Sequence, residues 1–259
     1  MKKILCAVLA TVAVLCLAGC KKTSAKSDKF VLGLDASFPP MGYTEADGTI
    51  NGYDIDLAKE VCKRLGKEFV AKPINWDAKE MELSSGSIDC IWNGFTITEE
   101  RKNAMSFTDA YLMNEQVLVV RENSDIKSLA DAAGKVIGTQ AGSSGEEAIN
   151  DNSDFASSVK SIVKYDDYLT ALTDLEVGGV DGIVMDSIVA DYQITTGKLP
   201  LVVIEEPLAL EGYGIGFRKG DEGAALRDKV WATLKEMASD GTLESIDVKW
   251  FGKKTSSIQ

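Results

Sequence analysis

At 259 residues the chain is long enough for one large or two ordinary domains with a sizeable core, and 45% hydrophobic with 26% charged residues is ordinary for a globular protein. Its 28 basic and 40 acidic residues leave a net charge of −12, the wrong sign for a nucleic-acid partner, which would select a basic footprint. Histidine is absent, which removes Ser-His and Cys-His nucleophile pairs and imidazole metal sites in one step. No cofactor and no metal site are expected.

The chain opens with Lys2-Lys3, an apolar run over 4–18 and then Gly19-Cys20, the layout of a secretory signal. As an uncleaved span the run is short, since a bilayer needs about 20 apolar residues. Leu17-Ala18-Gly19-Cys20 resembles the lipobox of bacterial lipoproteins, which implies cleavage after residue 19 and lipid on the Cys20 thiol. Losing Lys2 and Lys3 with the signal takes the net charge from −12 to −14. Residues 20–28 are polar and read as a flexible tether. Cys6 and Cys16 leave with the signal. Cys62 and Cys90 sit in apolar patterns on a helix and a strand, and read as buried free thiols with no metal-ligand spacing.

Residues 30–34 form a strand that runs into Asp35 and Phe38-Pro39-Pro40, where the prolines forbid a central strand. After an Asp47-Gly48 turn, Asp54 opens an amphipathic helix closed by Gly66. A strand over 69–71, a turn over 75–77 and a helix through Leu83 lead to a buried strand over 88–92. That strand ends in a polar turn at Asn93-Gly94, and Thr98 caps the helix that follows. A second series has strands over 116–120, 135–139, 159–164, 182–185 and 201–204, with helices over 144–150, 168–177 and 187–195. An extended segment over 212–217 precedes helices over 222–237 and 242–249. The class is α/β, and two similar series predict two lobes with a cleft between them.

In open α/β sheets ligands bind beyond the carboxyl ends of strands, which here places Asp35, Phe38, Trp76, 93–96, 140–144 and Asp186. Arg101 is at the third position of its helix, where a cation opposes the dipole. It pairs either with a nearby Glu or Asp or with an external anion. Residues 138–145 open a helix and suit a small polar ligand, but they lack the lysine of a P-loop and the spacing of a dinucleotide fingerprint. Asp186 follows a buried run and reads equally as a helix N-cap or a cleft carboxylate, and Asp35 as a turn former or a cleft carboxylate. Phe38 and Trp76 read as core or as ligand platforms, and Trp92 and Trp250 as packing.

Four stretches together resemble the polar amino-acid-binding proteins of ABC importers, solute-binding protein family 3. They are DASFPPMGY from Asp35, GYDIDLAKEV from Gly52, GFTITEERKNAMSFTDAY from Gly94, and KWFG from Lys249. The resemblance implies a two-lobed periplasmic-binding-protein-like fold whose two crossover strands act as a hinge. Residues 29–113 plus 214–259 would be lobe one and 114–213 lobe two. It implies that Arg101 grips a ligand α-carboxylate, helped by Thr96 and Gly94, and that Asp186 takes the α-ammonium. Gln140, Ser143 and Ser144 would close from the second lobe, and Phe38 and Trp76 would flank the side chain. Asp35 would meet its polar end, while Asn93 stands where the family often has Ser or Ala. The expected role is a monomeric, lipid-anchored extracytoplasmic receptor that delivers glutamine, arginine or lysine to a permease. An enzyme using a cleft carboxylate and a sensor domain are the alternatives.

Overall fold

The computed structural model describes residues 29–259. The signal, the Cys20 lipidation site, the tether, Cys6 and Cys16 lie outside the described residues. Strand β1 (Lys29–Leu34) is followed by β2 (Ser37–Phe38), β3 (Gly42–Thr44), β4 (Ile50–Asn51) and helix α1 (Tyr53–Leu65). Next come β5 (Glu68–Pro73), a 3-10 turn at Trp76–Ala78, α2 (Lys79–Ser84), β6 (Cys90–Thr96), α3 (Glu99–Ala104) and β7 (Met105–Phe107). The second series holds β8 (Leu112–Arg121), β9 (Val136–Gln140), α4 (Ser144–Asp151), α5 (Ser153–Ser158), β10 (Ser161–Tyr165), α6 (Tyr168–Val177), β11 (Gly182–Asp186), α7 (Ser187–Gly197) and β12 (Leu201–Val203). The chain closes with β13 (Ala209–Arg218), α8 (Asp221–Ser239) and α9 (Thr242–Phe251).

A mixed sheet runs β10-β9-β11-β8-β13-β6-β1-β5, with β12 and β7 added on β8 and β13. Its two ends are parallel, β1 with β5 and β6, and β9 with β10 and β11. The middle is the long antiparallel pair β8–β13, which carries the chain between the two series. Parallel strands β1, β6, β9 and β11 therefore end at Leu34, Thr96, Gln140 and Asp186, and the loops beyond them face one another.

Most elements form where their apolar periodicity places them. Helix α1 buries Ile55, Leu57, Ala58, Val61 and Cys62, and ends in a left-handed Gly66 whose N–H bonds back to the last turn. Cys62 and Cys90 are free and buried. Trp92 is fully buried against Tyr111, and Trp250 meets Tyr43 edge-on and donates from Nε1 to Asp56.

The polar turn expected at Asn93-Gly94 is instead continuous strand through Thr96. The reason lies outside the segment. Gly94 takes φ +56° and donates its N–H to the buried Asp54, while Phe95 and Thr96 pair with Gly214 and Tyr213 of β13. Strands β2, β3, β4 and β7 and helix α5 have two to six residues each, too few to show a period, and no element was expected over them.

Candidate functional site

Asp35, Phe38, Trp76, Asn93, Gly94, Thr96, Arg101, Gln140, Ser143, Ser144 and Asp186 line one small cavity. The structure thus brings together all the residues expected from the sequence to bind ligand, while Cys20 lies outside the described residues.

Arg101 is held from its own side by Thr98, whose Oγ1 caps α3 by accepting the Arg101 N–H at 3.3 Å. Its side chain is buried, with the guanidinium carbon 4.7 Å from the centre of the Phe95 ring. One nitrogen donates to the Thr96 carbonyl at 2.9 Å and another to the Gly142 carbonyl at 3.4 Å. Among the described residues no carboxylate comes within 4.0 Å of it, so the expected alternative of a local ion pair is not what holds this cation. Burial lowers its pKa, opposed by the charges of Glu147 and Glu211.

Lys79, which sequence reasoning passed over, is a second buried cation. Its Nζ donates to the Gly142 carbonyl at 2.8 Å and to the Trp76 carbonyl at 3.3 Å, and lies 5.2 Å from the Trp76 ring centre. Burial, then the Arg101 charge, bring its pKa down to about 8.

The opposite wall is acidic. Asp186 sits at the N-cap position of α7, yet its carboxylate makes no cap bond. Its Oδ1 instead accepts from Tyr213 Oη at 2.7 Å, Asn114 Nδ2 at 2.9 Å and Gln116 Nε2 at 3.0 Å. Burial, then the neighbouring Glu211, raise its pKa well above the carboxylate range. Asn114 and Gln116 stand two apart on β8 and so share a face, both buried while Met113 and Glu115 between and beside them are exposed.

Asp35 forms the turn expected of it, accepting the Ser37 N–H at 2.8 Å on Oδ1. Its Oδ2 also accepts from Gln140 Nε2 at 2.7 Å, a bond that joins the loop after β1 to the end of β9. Asn93 Oδ1 accepts the Asp35 N–H at 2.8 Å, so Asn93 places Asp35. Burial raises the Asp35 pKa against those two bonds. Phe38 packs on Tyr168 with ring centroids 5.9 Å apart, and Trp76 meets Phe95 edge-on at 5.6 Å. Thr96 Oγ1 and Ser144 Oγ are 3.0 Å apart, and Ser143 caps α4 by accepting the Glu146 N–H.

This cavity joins two α/β series through charged groups at strand ends. Residues 30–253 match the family model described as bacterial extracellular solute-binding proteins, family 3. The chain belongs to that family. It is 33% identical over 224 residues to the L-cystine-binding protein TcyJ of Escherichia coli (strain K12), covering 86% of this chain and 82% of that protein. It is 31% identical over 258 residues to the arginine-binding extracellular protein ArtP of Bacillus subtilis (strain 168), covering 97% and 98%. A solved ABC uptake transporter substrate-binding protein from Streptococcus pneumoniae, with bound histidine, superposes with a TM-score of 0.86 at 35% identity, covering 89% and 95%.

As a family 3 solute-binding protein the chain has the two-lobed α/β architecture of its structural relatives. Asp54, in the first turn of α1, is missed by a sequence reading because an acid there already suits the helix dipole. Fully buried, it accepts the Gly94 N–H at 2.7 Å and the Tyr111 hydroxyl at 2.9 Å, and burial raises its pKa to about 7. It fixes the backbone of a cavity-lining residue from behind.

Proposed function

We propose that this protein captures one free amino acid between its lobes and delivers it, chemically unchanged, to an ABC permease. The observation that carries the reading is the buried Arg101, unpaired with any carboxylate among the described residues, across one cavity from the buried acid Asp186. A zwitterion supplies the two missing counter-charges. Arg101 would hold the α-carboxylate in two parallel hydrogen bonds, with Thr96 and Gly94 beside it, and Asp186 would hold the α-ammonium. Phe38 and Trp76 would flank the side chain, and Asp35 with Gln140 would meet its end. An acidic end favours a cationic or amidated side chain: arginine, lysine or glutamine. The arginine named for ArtP and the histidine seated in the Streptococcus pneumoniae protein agree with a basic ligand.

In this reading residues 29–113 plus 214–259 form one lobe, 114–213 the other, and β8 with β13 the hinge between them. Bonds from Gln140 to Asp35, and from Lys79 and Arg101 to the Gly142 carbonyl, would latch the closed state. The signal over 1–19 and the lipid on Cys20 would leave a monomer tethered outside the cell by residues 20–28.

A calorimetric panel of free amino acids tests the function. Binding tighter than about millimolar, more than roughly 4 kcal/mol, is expected for at least one of arginine, lysine, histidine and glutamine. Failure of all of them, or recovery of a converted product by mass spectrometry, would overturn it. Replacing Cys20 by Ser should release the protein from the membrane fraction, and retention there would refute the lipid anchor.

A further inference from the structure

The acidic wall of the cavity holds more than the single carboxylate an ammonium requires. Glu211 projects from β13, and its Oε1 accepts from Asn114 Nδ2 at 2.6 Å, Thr96 Oγ1 at 2.9 Å and Gln116 Nε2 at 3.0 Å. The same two amide nitrogens donate to Asp186 Oδ1. Two carboxylates from different strands therefore converge on shared neutral donors. Neither has a lysine or arginine nitrogen within 4.0 Å among the described residues.

The surrounding elements add little compensating charge. Strand β8 contributes the two amides, α4 the Ser144 hydroxyl, α6 Tyr168, and β13 Tyr213. The field of Arg101 on α3 reaches both acids, but its hydrogen bonds go to carbonyls. Like charges this close in a buried site do not both ionise, and burial beside the Glu211 carboxylate pushes Asp186 toward its protonated form. Tyr213 and the two amides orient the acids without neutralising them.

We propose that Glu211 and Asp186 act as one acid pair holding a single proton, and that a ligand ammonium entering the cavity displaces that proton to solvent. The inference rests on the amino-acid-binding reading above and adds a residue to it. Glu211 does not line the cavity; it is a positioning residue that acts through Asp186. On capture the O–H bond breaks, the proton passes to buffer, and N–H donors of the ammonium replace it on Asp186. Binding then strengthens with rising pH, by up to about tenfold per unit for one proton released.

Isothermal titration of the full chain with arginine, lysine, histidine and glutamine, each in phosphate and in Tris, counts the protons. The wild type should show a buffer-dependent heat matching release of a large fraction of one proton per ligand. Glu211→Gln should release less than half as much. Binding with a buffer-independent heat in the wild type, or an undiminished proton count in Glu211→Gln, would overturn the pair. If Glu211→Gln does not fold, Glu211→Asp must move the pH at which release is half-maximal, and an unmoved midpoint overturns the proposal. Absence of binding by every amino acid of the panel is a different result, because it defeats the binding function itself.

Discussion

Replacing Arg101 by methionine isolates its charge, because the new side chain still fills the space over Phe95. Of the five N–H donors on a guanidinium, one serves the Thr96 carbonyl and one the Gly142 carbonyl, and the rest face a ligand in the proposed role. Two charge-assisted bonds to an α-carboxylate contribute roughly 1.5–3 kcal/mol each, so their loss should weaken binding by roughly two to four orders of magnitude. Stability should move the other way. The fold lowers the Arg101 pKa through burial, meaning it disfavours the charged form, so removing the charge should leave the unliganded Tm unchanged or raise it. Calorimetry gives Kd, and thermal unfolding with and without ligand at about a hundredfold Kd gives the linkage. Wild type should gain roughly 2.7 kcal/mol there, or roughly 5–11 °C, and the variant nothing. A Kd within threefold of wild type would refute the carboxylate role. A drop in unliganded Tm as large as the lost ligand shift would make Arg101 a structural residue.

Asp35→Asn keeps an oxygen for the Ser37 N–H and removes the charge, with the Gln140 amide having to turn over to stay bonded, so arginine and lysine should lose roughly 10–100-fold in affinity relative to glutamine; an unchanged ranking in competition titrations argues against Asp35 as the side-chain contact. Asp54 has a folded pKa of about 7 against an ordinary value of 3.8, so the fold binds an extra proton between those limits. Its contribution is present below about pH 4 and lost as pH rises through 7, so wild type should lose roughly 2–3 kcal/mol from pH 5 to 7 that Asp54→Asn does not. Parallel slopes in urea denaturation at pH 5, 6 and 7 would contradict that. Gly94→Ala forces a side chain into φ +56°, with its Cβ 3.0 Å from Phe38 and 3.1 Å from Tyr213. A cost of roughly 1–2 kcal/mol for the left-handed backbone alone should lower Tm by roughly 2–8 °C, and unaltered melting would show that strand β6 relaxes to absorb it.

The fold was legible where a period had room to show itself. Helix α6 occupies the expected residues 168–177, because apolar residues and Asp167 and Gly178 at its ends agree with one another. Strand β11 reads as buried from Gly182 onward because each of its residues is buried. Strand β6 was cut short at Asn93-Gly94 because the dipeptide is a turn former by local propensity. Its actual conformation is imposed by Asp54, forty positions earlier, and by β13, more than a hundred positions later. Such long-range partners leave no local mark.

The same division runs through the site. Charged residues at strand ends, such as Asp35 and Asp186, stood out because burial beside a hydrophobic run needs a reason, and Arg101 because a cation there opposes its helix dipole. Lys79, Glu211 and Asp54 did not stand out, since a lysine or glutamate on a helix or strand edge is ordinary until its partner is known. Asp186 is the case where tertiary partners decide between two local roles. As a helix cap it would spend its carboxylate on the N–H groups of α7, and its charge would be absorbed by that helix. It accepts instead from Tyr213, Asn114 and Gln116, neutral donors that orient the carboxylate and leave its charge uncompensated. Arg101 is treated alike, by two carbonyls and an aromatic face. Opposite charges held apart across one cavity, each by neutral partners, cost burial energy that an internal ion pair would offset, and a zwitterion that bridges them recovers it.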